Sequence, residues 1–144
     1  LNTLKLVGTY VRGIGEGAYY VSLPYYKHAL EAILGGEPYP GTFNVRVSRY
    51  EAEVAKGLAR EAGVRIDGCG ELGGVWVYPC AVEGCLAWAV FPDESKHEDH
   101  IELVAPYRIS EALGVIPGDR VKVELWGPEV WPIAVSIWRR SKRP

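Results

Sequence analysis

The sequence predicts a mainly β protein, most economically a small closed barrel with two or three short helices. Composition leads there first: seventeen Gly and ten Pro among abundant Val, Tyr and Trp favour short strands and tight turns over a helix bundle. Size agrees, since 144 residues with 48% apolar content suffice for one domain with a real core. The third observation is the order of segments. Short apolar runs alternate with breaks marked by Gly and Pro, without repeats or low-complexity tracts.

Leu4 to Tyr10 mixes apolar and polar residues as a first strand does, and a Gly-rich run follows at once. Ala18 to Leu23 (AYYVSL) resumes strand character. Pro24 sets up a helix over Tyr25 to Leu34, with Tyr26, Ala29, Leu30 and Ile33 on one face, and Gly35 is its natural stop. Residues 37–41 form a turn cluster, and Thr42 to Val47 alternates like a strand. Ser48 with Glu51 is a capping box, opening a helix that Gly63 ends and that turns Ala52, Ala55, Leu58 and Ala59 toward the core. Gly73 to Cys80 and Cys85 to Phe91 read as strands separated by a Val-Glu-Gly turn. A polar loop over residues 92–100 leads to a short strand, Ile101 to Val104, which Pro106 ends. Ile109 to Leu113 makes one helical turn, Gly118-Asp119 turns the chain into a strand over Val121 to Trp126, and Pro132 to Trp138 makes a last strand. The tryptophans Trp76, Trp88, Trp126, Trp131 and Trp138 read as core or rim residues of these strands.

A formal net charge of −2 argues against a dedicated nucleic-acid binder, which carries a basic stripe. The exception, Arg139-Arg140-Ser141-Lys142-Arg143, reads as a solvated terminus. Cys69, Cys80 and Cys85 cannot all pair within one chain and form no CxxC, which suits a reducing cytoplasm, although a Cys80–Cys85 or Cys69–Cys80 bridge stays open. No apolar run approaches the length of a membrane span and no signal peptide is visible, so a cytoplasmic protein is expected. The chain begins at Leu1 and contains no Met. A trimmed start or a missing preceding segment is therefore expected, and an upstream domain stays open.

Two motifs suggest chemistry. Gly13-Ile14-Gly15-Glu16-Gly17 lets the chain turn tightly and bring backbone amides close to an anion. On this feature alone a hairpin between two strands is the stronger reading. The dinucleotide fingerprint fits poorly, because no third Gly has the required spacing and a strand is expected to follow. A Walker-type loop is excluded, as no Gly-Lys-Ser/Thr occurs. The second motif is Gly41-Thr42-Phe43-Asn44, whose Thr42 and Asn44 share one face of a strand and offer oxygen donors suited to Mg²⁺. From spacing alone an ordinary polar strand face is the stronger reading.

His97-Glu98-Asp99-His100 has the look of a metal cluster but lacks a third suitable ligand, so it reads as a solvated loop. Glu102, among Ile101, Leu103 and Val104, must either face solvent or have a buried partner. Beside a nucleotide site such an acid binds a hydroxyl and assists its deprotonation.

The order of motifs is specific where each alone is weak. Residues 13–44, GIGEGAYYVSLPYYKHALEAILGGEPYPGTFN, strongly resemble the archaeal CTP-dependent riboflavin kinases, whose hallmark is GxGEGxYxxSLPxY followed at this separation by Gly-x-x-Pro-Tyr-x-Gly-Thr-x-Asn. The likeness continues in Ile101 to Pro106, in Leu113-Gly114 and in Pro117-Gly118-Asp119, while residues 48–90 match only in general pattern. It implies one domain over residues 1–144, folded as a six-stranded Greek-key barrel of the cradle-loop type, that phosphorylates riboflavin to FMN with CTP and Mg²⁺. Gly13, Ile14, Gly15, Glu16, Gly17 and Ala18 then match the loop around the nucleotide diphosphate, and Tyr107, Arg108, Ile109 and Ser110 match a second segment holding the cytidine nucleotide. Thr42 and Asn44 match the Mg²⁺ ligands; Ser95 and Glu102 match the flavin contacts, with Glu102 as the candidate catalytic acid–base group. Two departures stand out. Ser95 replaces the usual Thr in a loop one residue shorter, and Ser110 replaces a frequent Arg, with Arg108 as its neighbouring substitute.

The expected partners are thus riboflavin/FMN and CTP/CDP, with neither membrane nor nucleic acid, and a monomer is expected. Two other readings remain: a non-catalytic barrel that regulates by binding DNA or a ligand, and a flavin kinase using ATP, whose barrel relatives carry a similar Thr-x-Asn element.

Overall fold

The computed structural model describes residues 3–13, 16–95 and 98–141. Its strands are β1 (Leu4–Val11), β2 (Phe43–Arg46), β3 (Val64–Ile66), β4 (Val75–Val82), β5 (Cys85–Pro92), β6 (His100–Val104) and β7 (Arg120–Leu125). Its helices are α1 (Glu16–Ser22), α2 (Pro24–Leu34), α3 (Arg49–Ala62), α4 (Ile109–Leu113) and α5 (Trp131–Ser141).

Six strands close into an antiparallel barrel in the order β4-β5-β6-β2-β1-β7, with β7 pairing back onto β4. After the meander β4-β5-β6 the chain returns to insert β7 between β1 and β4, the over-and-back path of a Greek key. Closure leaves few free edges to attract other chains. Along β4 one edge is shared: β3 takes the first half, from Ile66↔Val75 to Val64↔Val77, and β7 takes Cys80 to Val82. Pro79, with no N–H to donate, falls in the gap between these partners. The β4–β5 hairpin turns on Glu83 (φ 46°) and Gly84 (φ 80°), the paired positive φ values that match strand twist.

Alternation along the strands separates two apolar layers. Val45, Tyr78, Cys80, Ala87, Ala89, Ile101, Leu103, Val121 and Val123 fill the barrel, and Ala52, Ala55 and Ala59 of α3 pack against them. Val75, Val77, Leu86, Trp88, Val90 and Val104 point outward into a second core completed by Val21 of α1, Tyr26, Leu30 and Leu34 of α2, and Val135 of α5. Strands β4 and β5 are thus buried on both faces, which is why they read as nearly continuous apolar runs. Leu103 is fully buried within the barrel. Leu103→Ala is expected to lower stability by about 2–5 kcal/mol, read from urea unfolding midpoints, because removed methyls leave a cavity that the closed barrel cannot collapse.

The helix signals over residues 24–35 and 48–63 hold. Gly35 takes the left-handed conformation (φ 76°) after α2. At the start of α3 the Glu51 amide donates to Ser48 Oγ (3.1 Å), and the Ser48 amide donates to Glu51 Oε1 (3.0 Å). Two strand expectations fail. Ala18 to Leu23 is helical through Ser22, and Pro132 to Trp138 lies inside α5. Both segments cover the outer face of the sheet, where tertiary packing outweighs the β-propensity of Tyr, Val and Ile. Trp131, Val135 and Trp138, spaced four and three apart, all pack on the second core, while Ile133 and Ile137 are exposed. The three-residue β3 is too short to show a period and is missing from the sequence reading.

Arg139 of the basic tail is exposed, as a solvated terminus would be, yet it is tied to the fold. Its guanidinium donates to the Ile33 carbonyl near the end of α2 and lies 6.0 Å from the Trp88 ring, locking α5 onto α2. Residues 142–144 of the basic tail lie outside the described residues. Cys69, Cys80 and Cys85 are free thiols, so neither disulfide forms.

Candidate functional site

Strands β2 and β6 run antiparallel with Asn44 opposite Glu102. Since Phe43, Val45, Ile101 and Leu103 fill the barrel, Asn44 and Glu102 must emerge on its outer face, with Thr42 two residues before Asn44 on the same side. There the Thr42 hydroxyl donates to Glu102 Oε2 (3.0 Å), and Asn44 Nδ2 donates to Thr42 Oγ1 (3.2 Å). Asn44 and Glu102, 3% and 7% exposed, are the only residues outside the aromatic and thiol types whose polar groups are buried among the described residues. A buried carboxylate persists only when its environment compensates the lost hydration, so this cluster is built for something polar. Of the two choices left to Glu102, it has taken the buried partner.

The glycine loop lies directly on this cluster. A Cβ on Gly13 would fall 2.5 Å from Asn44 Nδ2, and one on Gly17 would fall 1.7 Å from Glu102 Oε2 and 2.8 Å from Thr42 Oγ1. These glycines serve close approach of backbone to side chains, since neither takes positive φ. The loop runs from β1 into α1, so its reading as a hairpin or strand-to-strand connection is corrected. One objection to a dinucleotide fingerprint, that a strand follows, falls with it, and Ala18 stands at the third position, where Gly or Ala is accepted. What argues against the fingerprint is the antiparallel pairing of all the described strands, which form no parallel βαβ unit. Ile14 and Gly15 lie outside the described residues. Glu16 opens α1, and Ala18 is half-buried one residue beyond Gly17.

Two clefts meet at the cluster. One is lined by Thr42, Tyr39, Tyr10, Phe43 and the segment Tyr107, Arg108, Ile109 and Ser110, which brings the second nucleotide segment of the sequence reading next to Thr42. Tyr10 and Phe43 stack there at 4.3 Å. Within that segment, Tyr107 donates its hydroxyl to the Leu86 carbonyl and stacks on Trp138, and burial pushes the phenol up. Ile109 is buried in the barrel core, and Arg108 occupies the N-cap position of α4 without a side-chain capping bond. Amides in the first turn of that helix lack intrahelical acceptors, which suits them to bind a ligand.

The second cleft brings together Ser95 and Glu102, the two residues matched to flavin contacts, with Phe91, Pro92, His100 and two polar residues of α3, Glu53 and Lys56. The sequence reading missed these α3 residues, because their spacing is that of an ordinary amphipathic helix. The His97-Glu98-Asp99-His100 run does not gather into a metal site among the described residues. Glu98 pairs with Arg49 (2.7 Å), Asp99 faces His100 at 3.7 Å, and His97 lies outside the described residues.

The fold and site therefore define a small closed barrel in which Gly13 and Gly17 lie against a buried polar cluster where two clefts meet. The family model named CTP-dep_RFKase, described as Domain of unknown function DUF120, matches residues 10–125. A riboflavin kinase of Methanopyrus kandleri is 52% identical over 128 residues, covering 89% of this chain and 87% of that protein. Riboflavin kinases of Methanosarcina mazei and Pyrobaculum arsenaticum are 39% and 38% identical, over 86% and 85% of this chain. This chain spans only 57% and 61% of those two proteins. The chain belongs to the CTP-dependent riboflavin kinase family. Among the described residues no helix is long and apolar enough to cross a membrane.

Proposed function

We propose that this chain transfers the γ-phosphoryl group of CTP to the 5′-hydroxyl of riboflavin, giving FMN and CDP, with Mg²⁺, in the cytoplasm. The observation that carries the reading is the Thr42–Glu102 hydrogen bond, which joins the wall of one cleft to the wall of the other. Donor and acceptor bound on either side would meet at this point. In-line phosphoryl transfer asks little covalent chemistry of a protein and much positioning and charge neutralisation.

The oxygens of Thr42, Asn44 and Glu102 fit Mg²⁺, which prefers hard oxygen ligands and keeps water and phosphate in its remaining positions. Thr42 and Asn44 are the residues that would hold it, and the ion would neutralise charge on the phosphate oxygens. The backbone of residues 13–18 wraps the diphosphate, and residues 107–110 hold the cytidine. Ser95 and Glu102 hold the riboflavin side, and Glu102 orients the 5′-hydroxyl and accepts its proton. Selection of cytidine rests on hydrogen-bond partners for the base edge, because a site that leaves such partners unpaired rejects the wrong base.

The test is to incubate the protein with riboflavin, Mg²⁺ and each nucleoside triphosphate separately, and to separate FMN by chromatography. FMN from CTP alone is expected. FMN from ATP would make this an ATP-using flavin kinase; no FMN from any triphosphate would return the binding-barrel reading. Glu102→Gln is expected to lower turnover by about 100-fold, in line with general acid–base contributions. Unchanged turnover together with unchanged riboflavin affinity would remove Glu102 from its role.

A further inference from the structure

Helix α3 contributes one cation to the flavin-side cleft. Lys56 lines it together with Ala52, Phe91, Pro92, Ser95 and Glu102, and its side chain is half-buried. The acids around it are committed elsewhere. Glu98 pairs with Arg49 at 2.7 Å, and Glu102 accepts from Thr42. Asp93 takes two hydrogen bonds from Arg65 at 2.8 and 2.7 Å; these hold its carboxyl below the usual range, and Lys56 adds only a smaller effect of its charge. Glu53, three residues earlier on α3, is exposed and forms no ion pair with Lys56. Lys56 is thus an ammonium set partly out of water against an apolar wall, without a salt bridge among the described residues. Such a group gains from a ligand that brings acceptor atoms.

Riboflavin has the complementary shape. Its ribityl chain carries hydroxyls for Ser95 and Glu102, and its ring is a flat apolar body ending in a pyrimidinedione edge with carbonyl acceptors. We propose that Lys56 binds the pyrimidinedione edge of the flavin ring and so sets the ring's orientation in the cleft, while Phe91 and Pro92 supply the apolar wall. This rests on the riboflavin kinase reading above. It assigns a role to α3, the helix otherwise engaged in packing Ala52, Ala55 and Ala59 against the barrel.

The experiment measures FMN formation with riboflavin and CTP varied in turn, for wild type, Lys56→Met and Lys56→Arg, with thermal unfolding to establish that each is folded. Met keeps the aliphatic stem and removes the charge. Lys56→Met is expected to raise the riboflavin KM about tenfold, the size of one lost charge-assisted hydrogen bond. Its kcat and its KM for CTP should stay within twofold of wild type, and Lys56→Arg should recover most of the riboflavin affinity. Quenching of riboflavin fluorescence on titration with protein should show the same order. If Lys56→Met does not fold, Lys56→Gln carries the same comparison. A riboflavin KM within twofold of wild type overturns the proposal, as does a loss that falls on CTP instead, or failure of Arg to restore affinity. Wild type that neither forms FMN nor quenches riboflavin overturns the kinase reading itself, which distinguishes the two failures.

Discussion

Gly17→Ala is expected to abolish FMN formation while leaving the barrel folded. In a helix interior Ala is favoured over Gly by about 1 kcal/mol, and Gly17 is the second residue of α1. Gly17 has no positive φ to justify it, so local conformation would welcome the substitution. Space forbids it. The new Cβ would lie 1.7 Å from Glu102 Oε2, 2.6 Å from Thr42 Cγ2 and 2.8 Å from Thr42 Oγ1. The Glu102 carboxylate is the end of a flexible side chain and can swing away, but doing so breaks its bond to Thr42 and empties the junction between the clefts. The predicted signature is therefore loss of turnover by at least about 100-fold, the usual effect of ångström-scale misplacement. Stability should fall by no more than about 1–3 kcal/mol, as for overpacking. Turnover assays beside thermal unfolding read both. Wild-type turnover in Gly17→Ala would mean that the loop does not need to lie on Thr42 and Glu102 during catalysis.

Asn44→Ala should be nearly as damaging, and its effect should depend on metal. Asn44 is 3% exposed and donates to Thr42, so its removal takes away a candidate ligand and loosens the orientation of the other. At limiting Mg²⁺ turnover is expected to drop on the order of 100-fold, with partial recovery as Mg²⁺ is raised. Riboflavin affinity should change much less, because the flavin contacts proposed above, Ser95 and Glu102, line the other cleft. Measuring kcat across a Mg²⁺ titration, with riboflavin binding read separately by fluorescence, checks both halves. Wild-type turnover at limiting Mg²⁺ would end the metal assignment.

The residues differ in how openly they declare their parts. The capping box at Ser48 and Glu51 and the stop at Gly35 could be read directly, because capping depends on neighbours within a few residues. Strands β4 and β5 could be read because burial on both faces leaves long apolar runs. The helices α1 and α5 could not. AYYVSL carries strand-forming residues, and the Trp131, Val135, Trp138 spacing competes with an equally visible alternation. Their state is decided by the outer face of the sheet, which needs a cover and is built from strands distant in sequence. At the site, Thr42 and Asn44 were visible as a pair two apart, and Glu102 as an acid in an apolar strand. That they touch depends on a β2–β6 register no local pattern records. Lys56 and Glu53 were invisible, since an amphipathic helix carries such residues on any solvated face.

By itself, then, the sequence determined the barrel class, the order of motifs that marks the family, and the oxygen-donor spacing at Thr42 and Asn44. These rest on short-range chemistry: turn residues, period-two strands and the donor types of individual side chains. Tertiary structure alone decided that the glycine loop enters a helix, that Gly17 must lack a side chain because Glu102 occupies the space, and that α3 reaches the cleft lined by Ser95 and Glu102. The physical reason is the same in each case. Close packing and strand register join residues 60 or more positions apart, such as Thr42 and Glu102, and a constraint imposed at that range leaves no periodic trace near either residue.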